Sequence, residues 1–123
     1  MHVYAIKGFE RFRRKERISE KLLVEAIDRA MSGLIDADLG GGLVKQRVAR
    51  PGQGKRGGYR TIIAYQAGKR AVFLFGFAKN AKDNIALEDL AHWRLIGADL
   101  LAAPEKAIEQ AMADDELMEI LDE

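Results

Sequence analysis

Residues 59–78 read YRTIIAYQAGKRAVFLFGFA, and their pattern decides the fold. Tyr59 to Gln66 carries the β-branched and aromatic residues that suit a pleated surface, and Ala71 to Ala78 does so again. Between them, Ala67-Gly68-Lys69-Arg70 has the length of a hairpin connection. AVFLFGFA is apolar at both alternating sets of positions, so it belongs in the middle of a sheet with both faces covered. Before this pair, Leu43 to Ala49 reads as another strand. Lys45 and Arg47 are two residues apart there, so they project to one side. Val3-Tyr4-Ala5-Ile6 is a short apolar run and the expected first strand.

Helical spacing occupies the rest. Glu10 to Arg17 is almost all charged, with Phe9 and Phe12 three apart on one face, and reads as a short helix. Ser19 is a candidate N-cap for a helix over about 19–33. Leu22, Leu23, Ala26, Ile27, Ala30, Met31 and Leu34 form its apolar stripe, and Gly33 lies near its end. Asp38-Leu39-Gly40-Gly41-Gly42 reads as a loop. A further helix is expected from near Asn84 to about Ala102, until Pro104 breaks it. A short helix and a terminal segment follow. The expected architecture is α+β, with about four mainly antiparallel strands packed against N-terminal helices and more helices at the C-terminus.

The 123 residues are 48% hydrophobic, enough for a core, and suit one domain over 1–123. The chain has no cysteine, which excludes disulfides and thiolate metal sites. No apolar run approaches the roughly 20 residues of a membrane helix. The opening MHVYAIKGFERFRRKER lacks the apolar core of a signal peptide, so a cytoplasmic protein is expected. The net charge of +1 conceals an asymmetry. Residues 1–85 hold 18 Lys and Arg against 8 Asp and Glu, and residues 86–123 hold 2 against 11. The first part suits a polyanionic partner; solvated faces of opposite sign are the plainer explanation.

The loop GQGKRGGYR, 52–60, offers a false lead. Gly52, Gly54 and Gly57 match G-x-G-x-x-G, but that fingerprint needs a strand before it and a helix after it. Here a strand follows. The P-loop pattern fails as well, because Ala49 stands where its first glycine belongs and Arg56 follows Lys55. Glycine has another use: it takes positive φ and lets backbone approach a partner closely. With Lys55 and Arg56 inside the loop, and Arg50 and Arg60 flanking it, the segment suits an extended polyanion better than a small cofactor.

GKRGGYRTIIAY followed by RAVFLFGFAKNAKDNI closely resembles the RelE/HigB-like toxins of bacterial type II toxin–antitoxin systems. Within them it is most similar to the branch with G-K-[SR]-G-G-x-R in the loop and F-x-K-N at the end of the next strand. The likeness is strong over about 39–85 and weakest beyond 86. It implies a RelE-like fold with a curved sheet, and a ribosome-dependent messenger RNA endonuclease that needs no metal or other cofactor. It also implies a cognate antitoxin, often of helix-turn-helix type, with operator DNA bound only through the toxin–antitoxin complex.

Such cleavage uses the 2′-hydroxyl of the RNA as nucleophile. It needs a base for that proton, cations for the developing charge, and an acid for the leaving oxygen. The resemblance assigns catalytic roles to Arg60, Lys55 and Lys79, and RNA contact to Arg56 and Asn80. Arg50 beside the loop, and Lys45, Arg47 and Lys82, are further RNA-binding candidates, with plain surface cations as the alternative for the last three. Arginine grips phosphate in bidentate fashion, and a lysine crowded by cations gives up its proton more readily. His2 and His92 are the only histidines and read as structural or exposed. Some relatives place a tyrosine shortly after the Asn80 position; Ile85 and Ala86 stand in that neighbourhood here. Tyr59 and Trp93 read as core residues, Trp93 alternatively as an antitoxin contact. Two other readings share the fold: a non-enzymatic inhibitor of DNA gyrase, and an inactive RNA-binding or regulatory homologue.

Overall fold

The 20-residue hairpin nucleates a larger sheet than the sequence pattern suggests. The computed structural model describes residues 1–50, 58–78 and 87–121. Six strands are formed: β1 (His2–Ile6), β2 (Ala37–Gly40), β3 (Leu43–Val48), β4 (Tyr59–Gln66), β5 (Arg70–Ala78) and β6 (Leu117–Glu119). They lie in the order β2-β3-β4-β5-β1-β6. β1 runs parallel to β5 and the other neighbours pair antiparallel. The helices are α1 (Lys7–Glu16), α2 (Glu20–Met31), α3 (Leu87–Ala102) and α4 (Glu105–Ala113).

Strand alternation divides the core into two layers. Ile63 and Phe73 face α1 and α2, in a cluster with Phe9, Leu23 and Ile27. Their neighbours Ile62, Ala64, Val72 and Leu74 face the other way, toward Leu90, Ile108 and Leu117. β5 therefore has both faces buried, as its doubly apolar sequence requires. The register shifts where Ile62 pairs with Phe75 and Ile63 with Phe73. The extra residue leaves Leu74 and Phe75 both packed in the layer beneath α3, the usual consequence of a bulge.

α1 starts at Lys7, three residues before the expected Glu10, and α2 falls within its expected 19–33. α3 ends at the expected Ala102, while its expected start near Asn84 lies outside the described residues. The Ser19 side chain accepts the Leu22 N–H at 3.2 Å, which caps α2. Gly76 explains how closely α1 sits on β5: a Cβ there would stand 2.5 Å from the Phe12 ring. Gly97 does the same for α3, 3.2 Å from the Ala64 Cβ.

Several expectations need correction. The sheet has six strands rather than about four. The segment read as a loop, Asp38–Gly42, contributes β2, and its glycines form the turn into β3. Gly40, Gly41 and Gly42 have φ of +83°, +63° and +82°, a left-handed run that side chains resist. Met31 and Leu34, assigned to the apolar stripe of α2, are 54% and 63% exposed, because the helix stops at Met31 and the chain turns at Gly33. The terminal segment forms β6, which pairs with β1.

The acidic part, 86–123, packs on the rest of the chain through two cations and a strand. Arg70 is buried and donates to the Leu100 and Ala103 carbonyls at 2.6 and 2.8 Å and to Glu105 at 3.0 Å. It thereby satisfies open carbonyls at the end of α3. Arg94 on α3 reaches across to donate to the Leu39 carbonyl of β2. Ile120 donates its N–H to the Val3 carbonyl at 2.8 Å.

Candidate functional site

The candidate site lies on the sheet face beneath α3, at the end of β4 where the glycine loop joins it. Arg47 of β3 and Arg60 of β4 are Cα partners. The Gly42 carbonyl accepts from Tyr65 on β4. Even-numbered residues of β3 therefore bond toward β4, and Arg47 bonds outward. Arg47 and Arg60 thus form the non-hydrogen-bonded kind of pair, in which Cα atoms stand only about 4.5 Å apart and side chains are closest. Lys45 lies two residues along the same face, opposite Ile62.

Aromatic side chains continue this face. Phe77 is the β5 partner of Arg60 and Phe75 that of Ile62. The two rings are 5.8 Å apart, and Phe75 stacks on Trp93 of α3 at 5.8 Å. Trp93 thus belongs to the core layer, as its sequence context suggests. Arg47 and Arg60 are both half-buried residues on the face that carries Phe75 and Phe77. The Arg60 Nη1 is buried and has no hydrogen-bond partner among the described residues.

Gly58 shows what glycine does at this end of the loop. A Cβ there would lie 2.8 Å from the Val48 carbonyl oxygen and 3.1 Å from Cγ of Arg47. The missing side chain lets the Arg47 stem lie against the backbone that leads into Arg60. Close approach, rather than positive φ, is the requirement at this position.

Arg50 goes elsewhere. Its guanidinium carbon lies 5.5 Å from the centre of the Tyr59 ring, a cation–π distance. Tyr59 faces the N-terminal helices, with its ring edge-on to Phe12 at 5.7 Å. Its hydroxyl donates to the Glu16 carbonyl at 3.4 Å, and burial pushes its phenol pKa up. Tyr59 is a core residue, as expected from alternation. Arg50 is separated by the sheet from the Arg47–Arg60 pair.

Lys55, Arg56, Lys79, Asn80 and Lys82 lie outside the described residues. Their chain segments attach at the Arg60 end of the sheet: Gly58 leads into Tyr59, and Tyr59 pairs with Ala78. His2 is at the other end. It pairs with Arg70, seven residues along β5 from Phe77, which is about 23 Å of strand. Its ring nitrogen is 3.4 Å from Glu119. His92 is exposed on α3, edge-on to Trp93 at 5.0 Å.

Sequence reasoning missed the residues that hold the site. Arg29 donates to the Arg47 carbonyl, and Asp36 accepts the Arg47 N–H at 2.6 Å. Buried Gln46 donates to the carbonyls of Ala26 and Leu34 at 2.9 and 3.0 Å. Each contact joins residues at least 11 apart, and no local pattern signals them. Among the described residues, no group of three or more His, Cys, Asp or Glu could hold a metal ion. No described helix is long and apolar enough to cross a membrane.

No curated protein matches the chain. A family model, the RelE toxin of the RelE/RelB toxin–antitoxin system, matches residues 1–120. The match spans both helical layers and all six strands, including the acidic part where the motif resemblance was weakest. With the small α+β fold, it establishes that the chain belongs to the RelE toxin family, as the toxin of a toxin–antitoxin system whose implied partner is an antitoxin.

Proposed function

We propose that this toxin is an endoribonuclease that cuts messenger RNA in the ribosomal A site and so halts translation. One observation carries the reading: Arg47 and Arg60 face each other at a close strand pair, with a buried Arg60 nitrogen unpaired. A buried donor without a partner costs stability. A phosphate bound there gives the Arg60 nitrogen an acceptor, and the interaction strengthens as negative charge builds on the phosphoryl oxygens.

The chemistry then runs without a covalent enzyme intermediate. The 2′-oxygen attacks the adjacent phosphorus and gives its proton to a base. The bond from phosphorus to the 5′-oxygen breaks, and that oxygen takes a proton from an acid. The products are a 2′,3′-cyclic phosphate and a 5′-hydroxyl. Arg60 stabilises the charge on the phosphoryl oxygens, with Arg47 and Lys45 on the flanking backbone. We assign the proton transfers to Lys55 and Lys79, whose chain segments join the sheet at the Arg60 end. Arg56, Asn80 and Lys82 extend the RNA contact. The G-K-R-G-G-Y-R loop supports the HigB-like branch as a functional analogy.

Purified protein added to ribosomes carrying a defined A-site codon tests this reading, with the same RNA free of ribosomes as control. The expected result is a cut in the A-site codon that requires the ribosome and disappears in Arg60→Met. A protein that arrests growth yet cuts neither sample has another target, such as DNA gyrase. A protein that neither cuts nor arrests growth is an inactive homologue.

A further inference from the structure

Arg47 sits where β3 has outrun its neighbour. β2 pairs with β3 as far as Lys45, opposite Ala37. Beyond that point the outward N–H and C=O of Arg47 have no strand to bond. Two side chains take the place of a strand. The Asp36 carboxylate accepts the N–H at 2.6 Å, and the Arg29 guanidinium donates to the carbonyl. Asp36 is itself held, because its N–H donates to the side-chain oxygen of fully buried Gln46 at 3.0 Å. The clamp is thus anchored in α2 and the core beneath it.

Register explains why a clamp is needed here. Arg47 and Arg60 are Cα partners on one sheet face, and a frayed strand end would let Arg47 leave that register. Holding the backbone on both sides fixes Arg47 opposite Arg60 before any anion arrives. Preorganisation of this kind favours the transition state because no reorganisation is needed when the charge develops.

We infer that Asp36 and Arg29 are positioning residues of the RNA-cleaving site, acting through the backbone of Arg47 to hold its guanidinium beside Arg60. The inference rests on the endoribonuclease reading above. It has a distinctive consequence. Both residues bind backbone atoms of residue 47, which persist when the Arg47 side chain is removed. Their effect on stability must therefore survive Arg47→Ala, whereas their effect on cleavage must vanish.

A double-mutant cycle on programmed ribosomes tests this. Asp36→Ala is expected to slow A-site cutting roughly ten- to a hundredfold, the scale of a displaced catalytic group. In the Arg47→Ala background the same change should leave the residual rate unaltered, while lowering Tm equally in both backgrounds. Asp36→Asn, which keeps an acceptor oxygen, should restore most of the rate. Arg29→Met repeats the cycle from the carbonyl side and serves if Asp36→Ala fails to fold. Multiplicative losses in the double variant, or an undiminished rate in Asp36→Ala, overturn the inference alone. A wild-type protein that cuts no RNA overturns the endoribonuclease reading and this inference together.

Discussion

Arg47 and Arg60 are directly opposed Cα partners on β3 and β4, on the sheet face that α3 covers. The buried Arg60 Nη1 has no hydrogen-bond partner among the described residues, and such a donor costs about 1–3 kcal/mol. Arg60→Met retains the packed stem and removes the unpaired nitrogen. Thermal denaturation should find this variant as stable as the wild type or slightly more so, while ribosome-dependent cutting is lost. A clear loss of stability would mean that Arg60 is a structural residue.

Inorganic phosphate offers a simpler probe of the same pair. An anion that binds the folded state stabilises it by mass action. Raising phosphate at constant ionic strength should increase the Tm of the wild type more than that of Arg60→Met. Equal shifts would place the anion elsewhere.

Gly58 tests the close approach at the loop's end. In Gly58→Ala the new methyl meets the Val48 carbonyl at 2.8 Å, and a backbone oxygen cannot rotate away. Strand β4 must shift from β3, at a cost of about 1–3 kcal/mol, measurable by urea denaturation. Cutting should fall further than stability alone accounts for, because the Arg47 stem loses its bed.

The acid limb of stability should depend on Glu10. Burial works against its charge, but hydrogen bonds and charge from Arg13 and Arg14 outweigh burial and hold its carboxyl below the usual value of 4.5. Arg13 approaches it at 2.6 Å. A lowered folded-state pKa stabilises the protein fully above the unfolded value, and the effect fades as pH falls through the folded one. The wild type should therefore lose stability below pH 4.5. Glu10→Gln should be weaker at neutral pH and flatter in the acid range. Parallel acid limbs for the two proteins would contradict the assignment.

Arg70 joins the basic and acidic parts of the chain. Arg70→Met leaves the Leu100 and Ala103 carbonyls without their donor, for an expected loss of about 1–3 kcal/mol. Deleting residues 104–123 removes more, since Ile108, Leu117 and Ile120 are buried and β6 covers the edge of β1. Comparing antitoxin affinity in the two variants separates docking on the chain's own body from partner recognition. Unchanged stability after the deletion would show that the packing of this segment is incidental.

The local elements were legible because each is written in neighbouring residues. The β-branched alternation of 59–66, the doubly apolar 71–78 and the Ser19 cap need nothing beyond their own segment. β2 and β6 were not legible. A strand of three or four residues has little hydrophobic period, and it becomes a strand only when a longer neighbour offers hydrogen bonds. Met31 and Leu34 misled for a related reason: periodicity says that residues share a helix face, but not where the helix stops.

Residue pattern was enough for the α+β class, the central place of β5, and the shared side of Lys45 and Arg47, because strand alternation is a property of the chain. The loop and strand motifs also pointed to the family that the whole-chain match establishes. Folding of the whole chain was needed to pair Arg47 with Arg60, to turn Arg50 to Tyr59 on the opposite face, and to close Asp36 and Arg29 on the Arg47 backbone. Those relationships depend on strand register and on where one strand ends beside another. Register is set by packing across the whole sheet, and no single segment contains it.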